Sequence, residues 1–332
     1  MTRKTALIEI LFPVELRPIF LQLTQKETAQ LLTGGSSKNY ERIPQFKAVV
    51  DVERNNVFSV VTERYRLVLN SEAIKLGQEC FKTVFTEATA EAMQVFNIIS
   101  PKSRSFCHVD YIHKGISFEP WQDDKWVPFL RVTNSYNRMK PLGFDVGFCR
   151  WICKNGLVLG EKSIRFRYVH TKGEVGKTTE FRTTFGELKT LENQFIESLH
   201  NLKRFYVPKT VMLPMLLRAF KVRVTDSDLL KAKRLEQLLA LRRVQISLTE
   251  KYFNDIGPNG YAALNVLTDF ASRPEAYISP ENMVNQLQKR SGEWMAEFVT
   301  QLKRDDFNFD TYLGEYSACA KLLEGSLSTL RF

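Results

Sequence analysis

The feature that most constrains this chain is a change of hydrophobic period part-way along it. Between about residues 105 and 169 four runs read as strands, SFCHVDYIHKG, WVPFLRVTNSY, LGFDVGFCRWIC and SIRFRYV. A period of two places successive side chains on opposite faces of a strand. The third run alternates most cleanly: Leu142, Phe144, Val146, Phe148 and Ile152 share one face, with Arg150 as the exception. From residue 186 the spacing becomes helical, in GELKTLENQFIESLHNLKRF and DSDLLKAKRLEQLLALRRVQISLTEKYF. Strands first and helices later indicate an α+β chain rather than alternating βαβ units.

Upstream, QFKAVVDVERNNVFSVVTERYRLV reads as a hairpin that turns at Asn55-Asn56, because Asn tolerates the positive φ of a tight turn. Asn70-Ser71 then opens a helix through EAIKLGQECFKTVF, and a second helix is expected over 86–96. TGGSSKN at 33–39 reads as a flexible joint. The expected architecture is an antiparallel β-rich core, ββα and then a three- to four-stranded meander, followed by a mostly helical C-terminal half. The expected units are an N-terminal extension over 1–38, a basic β-rich core domain over 39–185, and a helical region over 186–332 that packs on the core or oligomerises.

A chain of 332 residues that is 44% hydrophobic and 25% charged can bury a proper core. No run of 18 apolar residues occurs, which excludes a membrane-spanning helix. Glu9, Pro13 and Glu15 interrupt the apolar N-terminal run, which argues against a signal peptide. Five scattered cysteines are then expected to be free thiols in a reducing cytoplasm.

The charge is unevenly placed. Residues 131–182 hold eleven Lys or Arg against four acids, a net +7 of the chain's +10. Aromatic residues are interleaved with them. That combination suits single-stranded nucleic acid, since cations track phosphates and flat rings stack bases. The expected phosphate contacts are Arg131, Arg138, Lys140, Arg150, Lys154, Arg165, Arg167, Lys172, Lys177 and Arg182. Tyr136, Trp151 and Tyr168 are the expected base supports, with Trp151 pointing away from the Leu142/Phe144/Phe148 face. Two other readings remain open: a solvated sheet face over a core of Phe144, Phe148 and Phe166, or a surface for a protein partner. After Asp226, the basic residues Lys231, Lys233, Arg234, Arg242 and Arg243 beside a leucine stripe read as a packed helix with a solvated face, a second contact surface or an oligomer interface.

Several chemistries are disfavoured. Gly176-Lys177-Thr178 resembles the end of a P-loop, but position 171 is Thr, and the β-branched TTEFRTTF follows where a helix should open. Cys149 and Cys153 on a strand lie roughly 13 Å apart, too far to share a zinc or a disulfide. His108, His113, His170 and His200 form no recognisable catalytic spacing, and Asp123-Asp124 and Asp305-Asp306 read as loop acids. No catalytic residue, metal or cofactor is expected, although a metal-dependent enzyme acting on nucleic acid remains a further alternative.

Three stretches resemble one family, the phage- and plasmid-borne proteins grouped under domain of unknown function nine-three-two. They are FKAVVDVERNNVFSVVTERYRLVLNSEA, then RVTNSYNRMKPLGFDVGFCRWICKNGLVLG with Asn134, Ser135, Cys153, Asn155 and Gly156, then GPNGYAALNVLTDFASR with Tyr261, Leu264, Asn265 and Thr268. Family members often carry a His soon after; this chain has Ser272 and Arg273. The resemblance covers about residues 40–275 and implies a mobile-element setting in a bacterial or phage-infected cytoplasm. Asn155-Gly156 reads as a turn, and Tyr261 and Asn265 share a helix face. The order of elements also resembles the core of single-strand annealing proteins, which implies a homo-oligomer that anneals DNA strands. The alternative is a module that binds a host defence or replication protein.

Overall fold

The computed structural model describes residues 7–23, 40–85, 91–151, 155–158, 165–168, 188–273 and 283–329. The turn at Asn55 forms as expected, with φ of 50° between strands β2 (Tyr40–Asp51) and β3 (Asn56–Thr62). The stretch expected to be an N-terminal extension contributes a strand instead: β1 (Val14–Gln22) pairs antiparallel with β2, from Val14 opposite Asp51 to Gln22 opposite Tyr40. Pro18 lies where the β1–β2 register shifts. Its missing N–H is tolerated because β1 is an edge strand.

Helix α1 (Asn70–Val84) begins where the sequence places it. Ala73, Ile74, Cys80, Phe81 and Val84 form its buried stripe, together with Gly77. A Cβ on Gly77 would stand 2.3 Å from Val132 Cγ2, so only a glycine lets the helix approach the sheet this closely. The described part of the stretch expected to be a helix over 86–96 is not helical. Met93–Ile99 is strand β4, and residues 86–90 lie outside the described part. MQVFNII is rich in residues that suit a pleated surface, and pairing with β5 (Phe106–His113) decides its state.

Strands β6 (Trp126–Ser135) and β7 (Leu142–Arg150) continue the antiparallel meander. Two short strands share the far edge of β7: β8 (Asn155–Val158) pairs with Gly147–Arg150, and β9 (Arg165–Tyr168) with Leu142–Asp145. Asn155 and Gly156, read as a turn, therefore open a strand, with Asn155 opposite Arg150.

Strand β6 and nearly all of β7 are buried on both faces. On the first face, Leu130, Val132, Leu142, Phe144 and Val146 pack with Phe81 and Cys80 of α1. Further along that face, Trp126, Phe148 and Leu157 meet helices α2 (Leu188–Arg204) and α6 (Gly260–Ser272). The second face holds a small apolar cluster of Phe96, Ile112, Val127, Phe129, Cys149 and Val158, and beyond it a row of charges.

The helical half comprises α2, α3 (Met212–Ala219), α4 (Asp226–Leu229), α5 (Ala232–Ile256), α6, α7 (Val284–Leu302), α8 (Phe309–Leu313) and α9 (Glu315–Thr329). Helix α6 is buried from Gly260 to Ala271 and sits at the centre. Its N-cap is Asn259, whose side chain accepts the N–H of Ala262 at 2.9 Å. One apolar cluster joins Trp126, Phe148 and Leu157 of the sheet to helices α2, α3, α5, α6, α7 and α9, so the helices pack on the β core. Among the described residues no helix is long and apolar enough to cross a membrane.

Candidate functional site

The charged row on the second sheet face follows from register. Asp110 of β5 stands opposite Arg131 of β6, which stands opposite Asp145 of β7. Arg131 Nε and Nη2 donate to the two oxygens of Asp110 at 2.6 and 2.7 Å. Its Nη1 donates to Asn285 Oδ1 at 3.0 Å and Gln288 Oε1 at 2.6 Å, both on α7. Lys289 of the same helix lies 2.8 Å from Asp145 Oδ2. Burial opposes the Arg131 charge, but Asp110 and then Asp145 outweigh it and raise its pKa. Arg131 is 1% exposed. It cannot meet a phosphate, and the expectation that it does is corrected: its charge is spent inside the fold.

One pleat along, His108 Nδ1 lies 2.8 Å from Thr133 Oγ1, and its Nε2 lies 3.0 Å from Lys140 Nζ. Burial, with Lys140, Arg131 and Lys289 nearby, pushes the His108 pKa well below its ordinary value, so the imidazole is neutral. Lys140 Nζ therefore donates to Nε2, and Nδ1–H to the threonine oxygen. The Lys140 ammonium also sits 4.4 Å from the centre of the Phe106 ring. Burial first, then Arg131 and Lys289, bring its pKa down to about 8, against the pull of Asp145. The turn that presents it is closed by Ser135, whose Oγ donates to the Lys140 carbonyl and accepts its N–H. Arg138 in that turn is exposed, with φ of 63°.

The other end of β7 carries an aromatic platform. Trp151 is 42% exposed, and its ring stacks on Phe96 at 6.1 Å with a 26° interplanar angle. It points away from the Phe148 face, as its place on the strand predicts. Lys125 Nζ stands 5.8 Å from the indole centre, and the Lys125 carbonyl accepts the Trp151 N–H. Nearby, Lys203 lies 4.0 Å from the Trp121 ring, which meets Tyr261 edge-on.

Arg150 and Tyr136 fill structural places. Arg150 Nε donates to Asp124 Oδ1 at 2.7 Å and Nη1 to Asn265 Oδ1 at 3.2 Å. Tyr261 donates to the other Asp124 oxygen at 2.6 Å. Asp124 is thus a buried ion-pair partner rather than a loop acid, while Asp123 stays exposed. Tyr136 is fully buried; its oxygen accepts the Asn70 N–H at 2.8 Å and its ring stacks on Phe58. It is no base support. Phe144 and Phe148 are core, as the solvated-face reading held.

Arg165, Arg167 and Tyr168 lie on β9, opposite Asp145, Gly143 and Leu142; their side chains fall outside the described part of the structure. Lys154, Lys172, Lys177 and Arg182 lie outside the described residues altogether, as does Cys153. Cys80, Cys107, Cys149 and Cys319 are buried free thiols, and burial pushes Cys107 up to about 12. Among the described residues no group of three His, Cys, Asp or Glu side chains could hold a metal.

Sequence reasoning missed Asp110, Lys289, Asn285 and Gln288. Asp110 gave a signal, an acid in the middle of an otherwise buried strand; Asn285 and Gln288 lie 154 and 157 residues from Arg131, which donates to both, and needed the fold. The Asn and Tyr positions of the resembling stretches do meet. Asn134 Nδ2 donates to Val68 O and Asn70 Oδ1, tying β6 to the start of α1. Tyr261 and Asn265 share a face and jointly hold Asp124 and Arg150. Ser272 accepts from the Gly156 N–H at 3.0 Å and from Gln288 at 2.9 Å, linking β8, α6 and α7.

No curated protein and no solved structure matches the chain. Residues 57–293 match the family described as Domain of unknown function (DUF932). That span runs from β3 into α7 and contains the charged row, the Lys140 turn, Trp151 and the Tyr261–Asp124–Arg150 group. The chain therefore belongs to the Domain of unknown function (DUF932) family.

Proposed function

We propose that the protein binds single-stranded nucleic acid, DNA in preference, through the Trp151 platform at one end of β7 and the Lys140 turn at the other. The observation that carries this reading is the platform at Trp151: a ring left 42% exposed, backed by Phe96, with the Lys125 ammonium beside it. A supported, open indole next to a cation suits a stacked base and its phosphate. The surplus of positive charge in 131–182 supports the same partner. The contact set is revised by burial. Arg131, Arg150 and Tyr136 leave it and Lys125 joins Trp151, Arg138 and Lys140. Lys154, Arg165, Arg167, Tyr168, Lys172, Lys177 and Arg182 remain proposed contacts. The resemblance to phage- and plasmid-borne proteins supports work on a mobile element in a bacterial cytoplasm, and the order of elements supports annealing of strands by a homo-oligomer.

The test is binding of a fluorescent 40-mer, single and double stranded, across a salt series, by the parent protein and by Trp151→Ala and Lys125→Ala. Loss of one stacked base should weaken binding by about 1–3 kcal/mol in the Trp151 variant, with its melting temperature unchanged. Lys125→Ala should flatten the salt dependence by about one phosphate contact. Equal affinity of parent and Trp151→Ala for the single strand would remove the platform from the site. Salt-insensitive binding would remove the nucleic acid.

A further inference from the structure

The helical half holds a cleft of about 190 Å³ that shares no residue with the surface proposed above. Two helix stripes line it. Arg234, Gln237, Leu238 and Leu241 stand at i, i+3, i+4 and i+7 on α5, so they share one face. Leu287 and Arg290 stand three apart on α7 and share another. Phe220, which ends α3, and Phe270 of α6 complete the floor, with ring centres 5.1 Å apart and planes tilted by 33°. Phe220, Leu238, Phe270 and Leu287 are buried, while Arg234 and Arg290 are half-buried, so the floor is apolar and the mouth cationic. We propose that this cleft binds a small aromatic carboxylate, a molecule of one ring, a short tail and one carboxylate group.

Each part of the guest answers a feature of the walls. An engineered apolar cavity of about 150 Å³ takes benzene, so this cleft has room for one ring and a short tail. Tilted contacts with Phe220 and Phe270 favour an aromatic body over an aliphatic chain of similar length. Met283, a flexible thioether in the wall, adapts to the edge of such a ring. The carboxylate answers the guanidiniums. Arg290 Nη1 donates to the Phe220 carbonyl, which fixes the group beside the floor without neutralising it. Among the described residues Arg290 pairs with no carboxylate. Arg234 has the Asp228 carboxylate at 3.8 Å, beyond hydrogen-bond reach. A ligand carboxylate matches the planar guanidinium fork, and its bonds there are charge-assisted. The binding is non-covalent, and it does not rest on the nucleic-acid reading.

The experiment titrates phenylpropionate into the full chain at pH 7.5, read by ligand-observed NMR. Phenylpropionamide, which keeps the ring and lacks the charge, and octanoate, which keeps the charge and lacks the ring, are titrated beside it. Phenylpropionate should bind with a dissociation constant below about 1 mM. The amide and octanoate should each bind about tenfold more weakly. Arg290→Gln should weaken phenylpropionate by about tenfold. That variant also releases the Phe220 carbonyl, so its melting temperature is measured alongside. Arg234→Gln, which removes only a long ion pair, should weaken binding about threefold and keeps the test open if Arg290→Gln unfolds. No binding at about 10 mM overturns the proposal. Equal affinity for the acid and its amide, or undiminished affinity in a folded variant of either arginine, overturns it as well. Octanoate binding as tightly as phenylpropionate overturns the aromatic class.

Discussion

Replacing Arg131 by Met decides between two accounts of the basic segment. If Arg131 holds a phosphate, Arg131→Met weakens nucleic-acid binding and leaves stability alone. The structure requires the reverse. The substitution keeps most of the aliphatic stem and removes four hydrogen bonds, two to Asp110 and one each to Asn285 and Gln288. Asp110, 3% exposed, is left as a buried carboxylate without its counter-charge. Breaking a buried pair from one side costs about 3–5 kcal/mol, and the lost amide contacts fall within that figure because they belong to the same network. Equilibrium urea unfolding at pH 7.5 should therefore show a loss of about 4 kcal/mol. Adding Asp110→Asn removes the stranded charge, and the double variant should regain about 2 kcal/mol. A loss under about 1 kcal/mol would refute the reasoning.

Three further outcomes follow from neighbouring contacts. His108 is neutral in the fold and takes up a proton on unfolding below pH about 6.5, so stability should fall on acidification by up to about 1.4 kcal/mol per pH unit; His108→Gln should lose that slope in urea unfolding at pH 7.5 and 5.5. Gly77→Ala should destabilise by about 1–3 kcal/mol despite the better helix former, because the new methyl meets Val132. Adding Val132→Ala should recover part of that loss, and a neutral Gly77→Ala would contradict the close approach. Tyr261→Phe should cost about 1.5–3 kcal/mol, as Asp124 loses a 2.6 Å donor inside the protein, and thermal unfolding would measure it.

The hairpin at Asn55 and the three long meander strands were readable because each rests on a local rule of turn chemistry or period; α1 starts at Asn70 as read, although Leu69 is its N-cap and no side chain caps it. The helix reading failed over 93–96, where short apolar runs are ambiguous and a neighbouring strand decides. Strand β1 was hidden because its partner lies beyond a long intervening segment. The candidate site was legible in part. Trp151 and the Lys140 turn were reached through charge and alternation, and the one points outward as expected. Arg131, Arg150 and Tyr136 have the right chemistry for nucleic acid but the wrong depth. Depth depends on which face α7 and α6 cover, and strand period alone cannot say, because a strand buried on both faces still alternates.

The polar row on the second sheet face has a consequence for synthesis. The strands that carry Asp110, Arg131 and Asp145 leave the ribosome well before α7, which begins at Val284. At ordinary translation speeds the delay is roughly ten seconds. An apolar face would spend that time as a sticky surface in search of any neighbour. The row of two carboxylates and a guanidinium keeps its part of that face wetted, beside the small apolar cluster of Val127 and Phe129. Docking of α7 then expels that water in one late step, so the newborn chain should pass through a long-lived, soluble sheet intermediate before its last helices close over it.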